Sequence, residues 1–354
     1  MSKLARITAA VGAAMLAVGL LAAGATARTA AKQANVEACV LLPDTKSSAR
    51  YELFDRPYLT KAFKAAGVPA IVNNAQGDAQ KMRSQADDCV TNGAKVVLLD
   101  ALDPGSGAAI TNAVVAGGAK VIDYDRLVPH SKASYYVSFD NVKVGRLMGD
   151  GLVKALKADG KYGSHPTIVE LNGGIADNNA KLFKQGYDSV LNPLYKKGTF
   201  KKGAAGDQWT DWDPQKGLTI FEQMLARNGN NISAAIAAND GLAGSVVSAL
   251  KNHGLKPIPV TGQDATPTGV QYIIAGWQTG TVYKSVKAEA AAAAKAAIAV
   301  VKGGRVQTNG TVSGTKSVLL TPIWVTKANY KLLFTDGFVK RSQVCVGQYK
   351  QYCK

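Results

Sequence analysis

The sequence predicts an α/β protein of two doubly wound, Rossmann-like lobes. Apolar runs that stop abruptly at paired polar residues recur along it: VIDYDR at 121–126, AAIAAND at 234–240 and VTGQD at 260–264. A buried parallel strand reads as such a continuous apolar stretch, and ligands of open α/β sheets sit beyond the carboxyl ends of these strands. The polar pairs are therefore expected to line one cleft. Short β-type runs also alternate with helical patterns, which specifies right-handed βαβ crossovers and a parallel sheet. Finally, 7% aromatic residues and 36 glycines among 354 residues suit an Ala/Gly/Val-rich protein with many tight turns better than an aromatic-cored sandwich.

The first series runs strand 37–42, helix 56–66, strand 70–73, helix 79–92, strand 95–99, helix 105–116 and strand 120–124. Its strands are short apolar runs, and Asp103-Pro104-Gly105 is a turn that opens the third helix. A second series repeats the pattern: helix 141–157, strand 167–171, helix 180–192, helix 214–227, strand 234–237 and helix 241–253. After 260–262, helix 284–302 rests on an AEAAAAAKAAIAVV core of strong helix formers, and a last β-type run, 317–320, precedes Thr321-Pro322. These late elements are free to rejoin either lobe, which would make the crossings between lobes a hinge. With 47% hydrophobic content the chain is long enough to bury two cores.

Lys3 and Arg6 precede an apolar stretch, 7–27, that closes on Ala25-Thr26-Ala27, the pattern of an export signal cleaved after Ala27. An uncleaved membrane anchor is the alternative, because the stretch approaches the ~20 residues that span a bilayer. Either way the folded part is expected in the periplasm or at the extracellular surface. Four cysteines in an exported chain favour two disulfides, and sequence alone allows three pairings. Cys345 and Cys353 close a short loop and form the favoured local pair, which leaves Cys39 and Cys89 to join across neighbouring elements; buried free thiols are the alternative. Their spacing fits no zinc pattern, and His130, His165 and His253 are scattered, so no metal or other cofactor is expected. The formal charge of +17 is spread along the chain. Together with export, this argues against nucleic acid and for attraction to anionic lipid head groups or wall polymers. The densest cluster, Lys196-Lys197 with Lys201-Lys202, reads as a solvated connector.

No GxxxxGK[ST], HExxH, GxSxG or complete GxGxxG motif occurs, so the sequence offers no signature of catalysis. What it does offer suits a neutral polyhydroxylated ligand. A sugar hydroxyl both donates and accepts, so its site needs carboxylates, cationic donors and two-way amides, with an aromatic ring for the C–H face. Asp125, Arg126, Asp177, Asn179, Asn239, Asp264 and Lys284 supply the polar set, and Trp209, Trp212 and Tyr51 are candidates for the ring. Each has a purely structural alternative: Asp125 and Arg126 as a strand-end ion pair, the Asp177–Asn179 and Asn239-Asp240 segments as helix caps, the tryptophans as core.

The stretches YDR at 124–126, YVSFDNVKVG at 136–145, DNNAKLF at 177–183, GDQW at 206–209 and GQDA at 262–265 resemble the periplasmic D-xylose-binding proteins of bacterial ABC transporters. TVYK at 281–284 and LLTP at 319–322 extend the resemblance, which spans residues 36–338 in the same order. It implies a type I periplasmic-binding-protein fold, two lobes joined by three hinge strands with a monosaccharide between them. By position, Arg50, Asp125 and Arg126 would bind hydroxyls from the first lobe, and Asp177, Asn179 and Asn239 from the second. Asp264 would sit at the second hinge crossing, Lys284 would end the TVYK segment, Trp212 would stack on the sugar, and Tyr51 stands where relatives carry a Trp. The loop 43–50 is one residue longer than in relatives, and the interval between Trp209 and Trp212 one shorter. The cysteines lie outside the family pattern.

The expected organisation is a signal peptide at 1–27, a first lobe of 36–138 plus 263–302, a second lobe of 139–262 plus 303–338, and a Cys-bearing tail at 339–354. The expected function is capture of D-xylose, or another aldose such as glucose, ribose or galactose, by a monomer that hands it to an ABC permease. A membrane sensor is the alternative partner. An enzyme using Asp125 and Asp264 as an acid/base pair is the competing class, and the export signal argues against a transcription regulator on the same fold.

Overall fold

The computed structural model describes residues 35–353; the export signal read at 1–27 lies outside the described residues. From the N-terminus the chain forms β1 (Ala38–Leu42), α1 (Arg56–Ala65), β2 (Ala70–Asn74), α2 (Ala79–Thr91), β3 (Val96–Leu99), α3 (Pro104–Ala116), β4 (Lys120–Tyr124) and β5 (Tyr135–Phe139). These strands run parallel in the order β5-β4-β3-β1-β2. Every residue of β1 is buried because both faces are covered. Val40 and Leu42 point toward Leu59 and Phe63 of α1, whereas Cys39 and Leu41 point toward Met82 and Ala86 of α2 and Ile110 and Val114 of α3.

The second lobe comprises α4 (Asn141–Ala158), β6 (Thr167–Asn172), α5 (Asn178–Lys196), β7 (Lys201–Trp209), α6 (Pro214–Arg227), β8 (Ala234–Ala237) and α7 (Asp240–Asn252). Its parallel sheet has the order β7-β6-β8, with α4 and α5 on one face and α6 and α7 on the other. Glycines let α4 and α5 touch backbone to backbone: a Cβ on Gly145 would collide with the carbonyl of Phe183, and one on Gly186 with that of Val142. Sequence reading missed β5 and β7. β7 (KKGAAGDQW) has no apolar run because it is a half-exposed edge strand, and the lysines read as a connector lead directly into it.

The remaining elements are α8 (Pro267–Ala275), β9 (Thr281–Tyr283), α9 (Val286–Val301), β10 (Gly310–Val312), β11 (Thr315–Leu320), β12 (Ile323–Val325), α10 (Leu332–Thr335) and α11 (Arg341–Val344). Their pairing corrects the expected division of the chain. β11 lies parallel to β5 in the first sheet with β10 antiparallel beside it, so 310–320 belongs with the first lobe and not the second. Conversely, single-residue bridges from Ala235 to Val260 and from Gln263 to Val282 carry the second sheet on to β9, which pairs with β12. α8 packs beside α7, and within 263–302 only α9 returns to the first sheet, burying Ala290, Ala293 and Ala297 there. The crossing therefore falls at Lys284-Ser285, after β9, and Asp264 lies at a strand end of the second sheet rather than at a crossing.

Both disulfides form as the short-loop argument favoured, Cys39–Cys89 and Cys345–Cys353. The first joins β1 to the last turn of α2 across 50 residues, a closure worth about 4 kcal/mol on the chain-entropy model. The C-terminal segment is not a loose tail: Val339, Val344 and Cys353 enter a third core with Val270 and Ile274 of α8. Phe338 stacks on Phe54 with ring centroids 4.7 Å apart.

Candidate ligand-binding site

Strand ends and the loops after them bring the predicted polar residues together. The loop after β1 delivers Arg50 and Tyr51 on a widened helical turn, Tyr51–Asp55, and β4 ends at Asp125-Arg126. From the second lobe come Asp177 and Asn179 at the start of α5, Trp212 before α6, Asn239 after β8, and Asp264 beyond the 260–263 run. Lys284 lies at the crossing after β9. All ten predicted residues line one cavity, whose atom-free volume is ≈ 340 Å³ including its mouth. Trp209 does not line it. Three of these residues, Asp125 (φ 56°), Trp212 (59°) and Asp264 (94°), carry left-handed backbone that non-glycine residues rarely adopt, and Asp211 (54°) precedes Trp212 in the same conformation.

The first lobe's side is an interlocked charge cluster. Arg50 grips Asp55 with two bonds of 2.8 and 2.9 Å, donates to Glu289 at 2.6 Å and reaches Asp125 at 3.4 Å. The Tyr51 hydroxyl donates to the other oxygen of Asp125 at 3.1 Å, and Lys284 Nζ stands 3.7 Å from Asp125. Burial penalises the Asp125 charge, but Arg50, Lys284 and Arg126 outweigh that and hold its carboxyl down at about 2. Arg126 donates to Ser47 Oγ at 2.9 Å and to Ala101 O at 3.4 Å; its Nε lies 3.6 Å from Asp100 and 3.8 Å from Asp177. Five buried carboxyls (Asp55, Asp100, Asp125, Asp177, Glu289) and the partly buried Asp264 thus surround three buried cations (Arg50, Arg126, Lys284). Such an excess forces some acids to keep their protons: burial, with Asp125 nearby, pushes Asp100 up strongly and Glu289 up to about 8.

The second lobe's side tests the capping alternatives directly. Asp177 does cap α5, accepting from Asn179 N at 2.8 Å, yet its second oxygen accepts from Trp212 Nε1 at 3.0 Å and so pins the ring. Asn239 caps α7 through Oδ1, 2.9 Å from Leu242 N, which leaves its amide nitrogen for the cavity. Asn179 donates to Asp125 O at 2.8 Å across the lobes and accepts from Asn141 at 3.0 Å. Asp264 makes no side-chain hydrogen bond among the described residues, and burial raises its carboxyl against the pull of Lys284 and Arg50. Capping and cavity lining are thus compatible, because a carboxylate or amide has atoms for both.

Sequence reading missed Ser47, Ser48, Phe183 and Gln263 on the wall, and Asp55, Asp100 and Glu289 behind it. Gln263 and Asp100 end the apolar runs VTGQ and VVLLD, so the same rule would have found them. Glu289 shows only as the lone acid in an alanine-rich helix. Among the described residues no cluster of His, Cys, Asp and Glu is arranged to hold a metal ion.

Residues 38–305 match the family model described as the periplasmic binding protein domain. The chain belongs to this family. It is 36% identical over 300 residues to the D-xylose-binding periplasmic protein of Escherichia coli, covering 82% of this chain and 87% of that one. It is 33% identical over 321 residues to the multiple sugar-binding periplasmic receptor ChvE of Rhizobium radiobacter, covering 85% and 90%. Among solved structures, a carbohydrate transporter solute-binding protein from Chloroflexus aurantiacus in complex with D-glucose superimposes with a TM-score of 0.80 at 27% identity, covering 87% of this chain and 98% of that one. The type I periplasmic-binding-protein fold inferred from the motifs is the fold of this periplasmic binding protein.

Proposed function

We propose that this protein captures a single monosaccharide, D-xylose or a closely related aldose, between its lobes outside the cytoplasm and delivers it to an ABC permease. The observation that carries this reading is the lining of the cavity: ionised Asp125, donor-only Arg126 and Lys284, amides of Asn179 and Asn239, and the Trp212 ring, contributed from both lobes. No cation is left over for an anionic ligand, since the three cations are already outnumbered by carboxyls. In this reading Asp264 and Asn239 pair with hydroxyls directly, Arg126 spans the ring substituents, and Trp212 covers a C–H face. Binding is selective because an inverted hydroxyl strands a buried charged group. The ligand drives closure only by touching both lobes, since a ligand shifts an equilibrium only by preferring one state. Similarity to xylose-binding relatives supports the pentose, and export is supported by the periplasmic relatives and the N-terminal signal pattern.

The protein is a binding protein and not an enzyme in this reading: Asp125 is locked by Arg50, Tyr51 and Lys284, which suits a fixed acceptor and not a proton carrier. A thermal-shift and calorimetric panel of pentoses and hexoses tests it. D-xylose at a thousandfold excess over Kd should stabilise the fold by about 4 kcal/mol. Failure of every aldose to protect the protein would end the proposal, and recovery of altered sugar would make it an enzyme.

A further inference from the structure

The sugar site uses none of the lysines at the far end of the second lobe. In a doubly wound lobe, helix C-termini and strand starts share the end opposite the cleft. Here two such junctions touch, the turn from α4 to β6 and the turn from α5 to β7. His165 Nδ1 lies 2.6 Å from Gly198 O, Lys201 N donates to Pro166 O at 2.9 Å, and Tyr162 meets Phe200 edge-on at 5.5 Å. The knuckle carries Lys154, Lys157, Lys161, Lys196, Lys197 and Lys201, all exposed and none in an ion pair among the described residues, although Lys157 rests on the Tyr162 ring. Asp159 is the single carboxylate on these two turns and their flanking lysine segments. Lys202 is different: it turns inward to Glu170 and Asp207.

One cation per helix C-terminus would complement the helix dipoles, and six exceed that need. All six are lysines, point charges that suit a diffuse anionic layer; an arginine fork would mark a discrete phosphate. The large exposed apolar side chains, Leu53, Ile175, Ile323, Val346 and Tyr352, all lie elsewhere, so nothing on the knuckle would insert into a bilayer. We propose that this knuckle adsorbs the protein, without insertion, on the phosphate head groups of an anionic lipid bilayer. Adsorption at this pole leaves the cavity, at the opposite ends of the strands, free to exchange ligand. The choice of bilayer over dissolved polyanion rests on the proposed delivery to a membrane permease; the charge argument does not.

The test uses the exported, processed protein and vesicles of phosphatidylcholine with 30% phosphatidylglycerol, in a sedimentation assay at several salt concentrations. Each lysine near such a surface multiplies partitioning by about fivefold. The variant Lys154→Glu/Lys157→Glu/Lys196→Glu/Lys197→Glu should therefore lose binding by a hundredfold or more. The control Lys61→Glu/Lys64→Glu/Lys120→Glu/Lys302→Glu on the first lobe should lose far less, and both should keep parental sugar affinity as the check on folding. Equal losses in the two variants would reduce the effect to net charge and overturn the knuckle. So would no binding to the anionic vesicles, or tighter binding to soluble polyphosphate at equal phosphate concentration. Because sugar affinity is read separately, failure here leaves the sugar-binding reading standing.

Discussion

Replacing Arg126 by alanine probes the cavity most directly. Ser47 and Ala101 hold the guanidinium from one side, which leaves its Nε edge between Asp100 and Asp177. A hydrogen bond from a charged donor contributes about 1.5–3 kcal/mol, or roughly 10- to 150-fold in Kd for each bond to the sugar. The Asp177 contact spans the two lobes, so its loss also weakens closure, and a net loss of at least a hundredfold is expected. Stability should change little. Asp100, stranded by the substitution, is already pushed up by burial and by Asp125, so it can take a proton instead of remaining an unpaired buried charge. Calorimetric titration with D-xylose gives the affinity, and differential scanning calorimetry should give a Tm within about 4 °C of the parent. If Arg126→Ala bound within threefold of the parent, the assignment of Arg126 to the ligand would be wrong. Should the alanine variant unfold, Arg126→Lys, which keeps the charge and loses the fork, decides the point by the same titration.

Two further outcomes follow from buried groups in the fold and from the seat of Trp212. Burial pushes Asp123 up to about 8, Asp240 to about 7 and Glu289 to about 8. Each keeps its proton when folded and loses it when unfolded, so the folded state is the better proton binder from about pH 5 up to about 7 for Asp240 and about 8 for Asp123 and Glu289. Stability should fall across that window by about 1.4 kcal/mol per pH unit per group, and Glu289→Gln should remove one group's share of the slope in urea unfolding at pH 5.5 and 8; an unaltered slope would refute the assignment. Second, a Cβ on Gly173 would lie within the Trp212 ring, which Asp177 holds in place. Gly173→Ala should weaken sugar binding at least tenfold with the tryptophan fluorescence response to sugar diminished, and parental affinity would show that the ring position does not matter.

The local rules that succeeded were those in which one segment states its own environment. Apolar runs such as VVLL and AAIA announce strands buried on both faces, and the polar residues that end them had to stand at the carboxyl edge of a sheet. Asp125, Arg126, Asn239 and Asp264 were legible for that reason. Edge strands carry no such imprint, so β7 passed for a connector, and the pairing of β11 with β5 was invisible because a terminal strand can hydrogen-bond to whichever sheet edge is open.

Composition and pattern by themselves determined the class of fold, the run of most elements, and the chemical character of the cavity wall. Tertiary structure alone decided how charge is balanced within it. Asp55 and Glu289 meet Arg50 from sequence positions 5 and 239 residues away, and that encounter, not any local motif, holds the guanidinium beside Asp125. The physical reason is range: strand and helix propensities act over a few neighbouring residues, whereas a buried ion's partners are chosen by where the packed lobes place them.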